Sequence, residues 1–223
     1  MTGDRQEGAG RVRQGLAEKR QAIVRGARRV FGRDGYTRAG IDSIAKEAGV
    51  STRTIYNHFP EGKAQLFRVV VVEGSEEILR AHVDAIDRRL YKVTDLEADL
   101  VDFAHAWMSP MYQYRDHFAL VRQLRAEVGH IPQELLDAWR AAGPDRALEL
   151  VAARFRELAE EGLLDAPDPE RAATHFILLT GSEISDRTYG GVIPMPDEKR
   201  DELVRSGVRA FLHGYLPRGS VSG

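Results

Sequence analysis

The stretch Ile41-Asp-Ser-Ile-Ala-Lys-Glu-Ala-Gly-Val-Ser-Thr-Arg-Thr-Ile-Tyr-Asn-His-Phe59 decides the fold. Ile44, Ala45 and Ala48 fall at i, i+1 and i+4, so one stripe of a short helix is apolar. The single methyl of Ala45 lets a second helix approach closely. Gly49 stands at the helix end, where a left-handed backbone is needed and glycine takes it without steric cost. Val50 plugs the corner, and Ser51 supplies an oxygen to cap the next helix. Ile55 and Phe59, four apart, turn inward and leave Thr52, Arg53, Thr54, Asn57 and His58 outside. Two short helices joined by a tight glycine turn, the second opening with hydroxyls, an Arg and an amide, have the form of a helix-turn-helix major-groove reader.

Working outward, a first helix is expected over residues 16–34, with Ile23, Ala27, Val30 and Phe31 on one face, Gly35 as its stop and Tyr36 packing the link to the reader. These three helices form one small DNA-binding domain, residues 16–62. Ahead of it, residues 1–15 are Gly-rich and aperiodic, which reads as a flexible tail. It is either merely solvated or an arm whose Arg11 and Arg13 reach a minor groove. After Phe59 a Pro-Glu-Gly turn leads into a long helical pattern over 63–90, joining head to body through Phe67, Val70, Val71, Ile78, Val83 and Ile86. Every later segment also reads helical: 96–113, 116–129, 132–142, 145–162, 168–189 and 197–216. Asp168 caps ahead of Pro169, and Gly162 is a stop. Residues 189–196 form a loop. The expectation is an all-α chain with a helical-bundle body over 63–216, for ligand binding and dimerisation, and a flexible tail over 217–223.

Charge supports that division. Residues 1–63 hold 13 Lys and Arg against 7 Asp and Glu, a net +6, while the remainder holds 19 against 27, a net −8. A basic head on an acidic body is the electrostatic footprint of a modular nucleic-acid binder. The absence of cysteine removes disulfides, thiolate nucleophiles and thiolate metal sites, which suits a cytoplasmic protein. No apolar run is long enough to span a bilayer, and no N-terminal signal region is present. The seven His residues never fall at i, i+4 around an acid, and no Gly-rich phosphate loop or Gly-x-Ser-x-Gly elbow occurs. No catalytic residue, cofactor or metal is therefore assigned.

Residues 23–66 resemble the DNA-binding domain of the TetR/AcrR family of transcriptional regulators. The likeness is carried by Ala27, Phe31, Gly35-Tyr36, Ile44-Ala45, Ala48-Gly49-Val50, Tyr56, His58-Phe59 and Lys63 at the family's spacing. In the body, Glu127-Val-Gly-His-Ile-Pro132, Ala142-Gly-Pro144 and Glu161-Gly-Leu-Leu-Asp-Ala-Pro-Asp168 resemble the C-terminal domain of the AefR-like branch. The resemblance implies an all-helical homodimer that binds a palindromic operator and represses, until a small-molecule effector in the body moves the fourth helix and separates the readers. It implies phosphate contacts from Tyr56, His58 and Lys63, and base reading from Thr52, Arg53 and Asn57. Their chemistry agrees: Arg can be bidentate to guanine and Asn to adenine, while the Ser51 and Thr54 hydroxyls and the His58 imidazole fix register on the backbone. Two departures stand out. Phe59-Pro-Glu-Gly-Lys63-Ala-Gln-Leu66 is one residue longer than the usual spacing and has Ala64 where Glu is common. Ala39-Gly40 stand where hydroxyl residues are frequent, so Gly40 offers a phosphate only backbone N–H groups.

In the body, Phe103, Trp107, Met111, Phe118, Arg122, Trp139 and His175 are candidate effector contacts, because aromatic and Met residues with a few polar tips make an adaptable pocket. Core packing explains the same pattern. Arg122 or Arg125 in the pocket would suit an anionic effector unless Glu127 neutralises it. Phe176, Leu179, Ile184, Leu203, Val204, Val208 and Phe211 give the last two helices broad apolar faces, read as a homodimer interface. The function expected is a ligand-responsive, dimeric, DNA-binding transcriptional regulator, in the repressing sense. The alternative is a DNA-bound protein-interaction adaptor without an effector; an all-helical enzyme would need turnover or a metal.

Overall fold

The computed structural model describes residues 3–217, with side chains from Gln14 onward. The expected tail over 217–223 therefore lies beyond the described residues except for Pro217, and the Arg11 and Arg13 side chains lie outside them. The described chain is all-helical and packs into two compact units, residues 3–74 with 116–139, and residues 75–115 with 140–217.

The first unit is built on α1 (Gly3–Arg38), α2 (Ile41–Ala48), α3 (Thr52–His58) and the opening of α4 (Lys63–Arg89). It also takes in α6 (Arg115–Ala126), a 3₁₀ turn (Val128–His130) and most of α7 (Gln133–Ala142). Its core gathers Ile23, Ala27, Val30 and Phe31 of α1 with Ile44, Ile55, Phe59, Phe67, Leu120 and Leu135. Phe67 meets Phe31 edge-on at 5.0 Å and Tyr36 at 4.8 Å, so the start of α4 is keyed into the reader's core. Helix α1 begins at Gly3, well ahead of residue 16, where the apolar stripe starts. Its regular path breaks where the sequence predicts, at Gly35 (φ 78°, ψ 174°), a conformation that only glycine adopts readily.

Helix α6 stops at Ala126, short of the expected 129. The physical reason is Glu127, whose carboxylate turns back to accept from the Thr37 backbone N–H (3.0 Å) and hydroxyl (3.3 Å). That bond spans ninety positions and leaves no periodicity in the sequence to reveal it. Glu127 thus secures the corner between α1 and α2.

The second unit holds the rest of α4 with α5 (Leu96–Gln113), α8 (Pro144–Glu160), α9 (Pro169–Arg187) and α10 (Asp197–Tyr215). Asp168 caps α9 as the sequence predicts, accepting from Arg171 N–H at 2.9 Å with Pro169 first in the helix. Phe176 is the hub of the core, with rings of Phe103, Phe155 and Phe211 at 5.6, 5.5 and 5.2 Å. Burying such a cluster contributes about 2–3 kcal/mol per ring. Here the interface assignment is corrected. Phe176, Ile184, Val204, Val208 and Phe211 are wholly buried within the single chain and have no surface left for a partner. The apolar side chains facing outward are Leu178 (54 % exposed) and Leu179 (46 %), with Leu203 part-buried.

Each unit also buries an imidazole. Burial pushes His117 in the first unit down to about 4, with the Arg28 charge adding to the effect, and burial pushes His82 in the second down to about 4 against a backbone hydrogen bond to Trp107. Between pH 6.5 and 4 the unfolded chain binds protons that the folded imidazoles refuse. Stability is therefore full above 6.5 and falls as pH drops toward 4, by up to about 1.4 kcal/mol per pH unit for each imidazole. Melting temperature measured against pH should show this acid slope, and His117→Phe should flatten it over the same window. An unchanged slope in the variant would show that His117 is not its source.

Candidate nucleic-acid interface

The reader is assembled by local chemistry. Gly40 precedes α2 in extended conformation (φ −115°, ψ 153°) and offers no side-chain cap. Gly49 closes α2 in the left-handed region (φ 66°, ψ 33°), and the Val50 N–H returns to the Ala45 carbonyl at 3.0 Å. Ser51 Oγ then accepts from the Thr54 N–H at 3.1 Å and lies 2.9 Å from the Thr54 hydroxyl. The two hydroxyls nominated for phosphates thus also hold the start of α3, which aims them from a fixed helix end.

Ile55 and Phe59 are buried, and the remaining side chains of α3 divide into two stripes. Thr52, Arg53 and Tyr56 lie along one, at i, i+1 and i+4; Thr54, Asn57 and His58 lie along the other, at i, i+3 and i+4. Arg53 and Asn57 are exposed, and among the described residues neither side chain has a hydrogen-bond or ion-pair partner. Tyr56 is 50 % exposed, with its ring close against Gly62. An unpartnered guanidinium and amide on an exposed helix face are free to meet base edges or phosphates.

Several other cations of this unit are already engaged. Arg20 pairs with Glu73 at 2.7 Å and lies over the Phe59 ring. Arg29 pairs with Glu47 at 2.7 Å, and Arg33 with Asp34 at 2.8 Å. Lys63 is the instructive case. Its ammonium donates to the carbonyls of Tyr36 (3.0 Å) and Thr37 (3.3 Å) and sits 4.7 Å from the Tyr36 ring centre. The extra residue before it is absorbed by a turn in which Gly62 takes a left-handed φ of 68°. Lys63 thus ties the α1–α2 corner, retaining one N–H of three for any other partner.

The seven candidate effector contacts are divided between the two units. Phe118, Arg122 and Trp139 belong to the first unit and are part-buried. Phe103, Trp107, Met111 and His175 belong to the second. There Phe103 is core, and Trp107 stacks on His82 at 3.8 Å. Met111 packs under Gly191, and His175 is exposed, bonded to the Tyr215 hydroxyl at 2.8 Å. A cleft of about 540 Å³ in the second unit, lined by Val83, Ile86, Tyr91, Leu150, Arg154 and Glu157 among others, includes none of the seven. Glu127 is engaged by Thr37, so its negative charge is directed at the α1–α2 corner. What the sequence could not signal were the orphan polar atoms of the second unit, Ser75 Oγ, His82 Nδ1 and Tyr112 OH, which are buried without partners. Among the described residues no helix is long and apolar enough to cross a membrane.

Comparison with known proteins bears on both parts of the chain. Residues 23–70 match the model of bacterial regulatory proteins of the tetR family. Residues 98–217 match that of the AefR-like transcriptional repressor C-terminal domain. The HTH-type transcriptional regulator UidR of Escherichia coli K12 is 27% identical over 199 residues, covering 88% of this chain and 92% of the relative. A TetR-family regulator structure from Mesorhizobium loti MAFF303099 superposes with a TM-score of 0.78 at 26% identity, covering 91% of this chain and 98% of the other. The flavonoid-responsive regulator FrrA superposes with a TM-score of 0.69 at 28% identity, covering 91% of this chain and all of the other.

Proposed function

Because this chain belongs to the TetR family of DNA-binding transcriptional regulators, with a C-terminal domain of the AefR-like kind, we propose that it is a dimeric, effector-released repressor of a palindromic operator. The observation that carries the reading is α3 itself, a capped helix that presents Arg53 and Asn57 without competing partners. Thr52, Arg53 and Asn57 read base edges. Gly40, Ser51, Thr54, Tyr56 and His58 hold phosphates, and Lys63 gives a phosphate its remaining N–H. Two copies paired through the outward faces of α9 and α10, at Leu178 and Leu179, would set two readers one helical turn of DNA apart, about 34 Å. A regulator of transcription works beside the chromosome, which makes the protein cytoplasmic, and we assign it no catalytic role.

For the effector, the neighbour FrrA is named for flavonoids. The orphan Ser75, His82 and Tyr112 atoms lie in the unit that holds the Trp107–His82 stack. Both support an effector with a flat apolar body bearing hydroxyl or carbonyl groups, which would bind one state better than the other and shift the population off DNA. The test is selection of bound fragments from the source genome, followed by gel-shift titration. On the selected operator, Arg53→Ala should cost about 1–3 kcal/mol and relax preference at one base position. Equal loss on operator and scrambled DNA would remove Arg53 from base reading.

A further inference from the structure

The apolar stripe of α1 changes character at its N-terminal end. Read along i, i+3 and i+4, it runs Phe31, Val30, Ala27 and Ile23, all buried, and then continues as Arg20, Lys19 and Leu16. The same helix face that packs the core becomes cationic once α1 runs beyond it. Here residues of α1 and α3 together line a notch of about 480 Å³. One wall is Leu16, Ala17, Lys19 and Arg20; the other is Thr54, Asn57 and His58.

These walls are unequal in charge and in availability. Arg20 is held by Glu73 and by the Phe59 ring. Lys19 is exposed and, among the described residues, has no partner. Leu16 is 51 % exposed, an apolar surface beside a lone ammonium. Among the described residues, no carboxylate lines the notch. The opposite wall is the stripe of α3 that carries a hydroxyl, an amide and an imidazole.

We propose that this notch seats one sugar–phosphate unit of the DNA strand bordering the groove that α3 enters. Lys19 holds the phosphate from the α1 side, His58 and Thr54 hold it from the α3 side, and Leu16 and Ala17 pack the deoxyribose. The proposal rests on the DNA-binding reading and extends its footprint from α3 to α1. It also gives Asn57 a neighbour: the amide shares its stripe with the phosphate-holding groups and reads a base only at the edge of the clamp. Lysine suits the place because a phosphate needs a point charge there, with no planar fork to align.

The test uses the full-length protein and a fluorescein-labelled duplex of mixed sequence, since a phosphate contact needs no particular operator. Binding is followed by anisotropy between about 50 and 200 mM NaCl. Lys19→Ala should reduce the slope of log affinity against log salt by about 0.9 for each head bound, and equally on duplexes of different sequence. Lys19→Arg should restore it. Ala17→Phe, which fills the notch from an exposed position, should lower the slope as well. Lys92→Ala, an exposed cation beyond the end of α4, should change nothing. Thermal melts of all variants should coincide with the parent. Wild-type slope in either Lys19→Ala or Ala17→Phe overturns the notch as a phosphate seat. Absence of duplex binding by the parent protein would instead overturn the DNA-binding reading beneath it.

Discussion

Gly207→Ala should lower the melting temperature by roughly 6–12 °C, which corresponds to a loss of about 3 kcal/mol in a chain of this size. In the middle of a helix this exchange ordinarily stabilises by about 1 kcal/mol. At position 207 the sign reverses because a Cβ would press on the carbonyl oxygen of Leu179, 2.7 Å from its carbon and 3.0 Å from Thr180 Cα. All three are backbone atoms of α9, so no side-chain rotamer relieves the overlap. The helices must separate, and separation opens the core around Phe176 and Phe211, which meet at 5.2 Å across this pair. Gly214 supplies the control, since it lies in the same helix and a Cβ there would meet nothing within 4 Å. Gly214→Ala should leave the melting temperature unchanged or raise it. Scanning calorimetry on the three proteins decides the matter: a Gly207→Ala protein that melts with the parent would show that α9 and α10 are not in backbone contact.

The second large effect is expected at Gly35→Ala, and it should fall on DNA binding as well as on stability. Two costs combine. A side chain at φ 78°, ψ 174° is strained by about 1–3 kcal/mol wherever it occurs. The added Cβ would also strike the carboxylate of Glu127, 2.7 Å from its Cδ, and displace it from the Thr37 N–H. The corner between α1 and α2 would then lose its tie. The neighbouring Tyr36 and Thr37 carbonyls also hold Lys63, so the start of α4 would loosen with it. A double-mutant cycle with Glu127→Ala separates the two costs. If collision dominates, the double variant should be no worse than Glu127→Ala alone; if backbone strain dominates, the costs should add. Urea unfolding supplies the energies, and anisotropy on duplex DNA supplies the functional loss. A Gly35→Ala protein as stable as the parent would refute both costs.

Most of the reader was legible in the sequence because its signals are local. Gly49 and Ser51, like Asp168 and Pro169 in the second unit, act on backbone groups within four residues, and a short spacing rule captures them. The helices of the body were legible for the same reason, down to the bounds of α5. The interface assignment depended on packing instead. Phe176 and Val208 are apolar at helical spacing whether they face a second copy or their own core. Only the packing of α9 on α10 shows that they face inward.

The sequence by itself determined the reader: an apolar stripe, a left-handed glycine, a serine cap and a basic head, each a consequence of neighbouring residues. Tertiary structure decided which charges remain available. Arg20, Arg29 and Arg33 are basic in the sequence, yet Glu73, Glu47 and Asp34 neutralise them, whereas Arg53 and Lys19 have no partner among the described residues. Tertiary structure also turned Glu127 from a helix end into the clasp of the α1–α2 corner. A charge is a property of a residue, but its partner is a property of the fold, because segments far apart in the chain meet only after the core has formed.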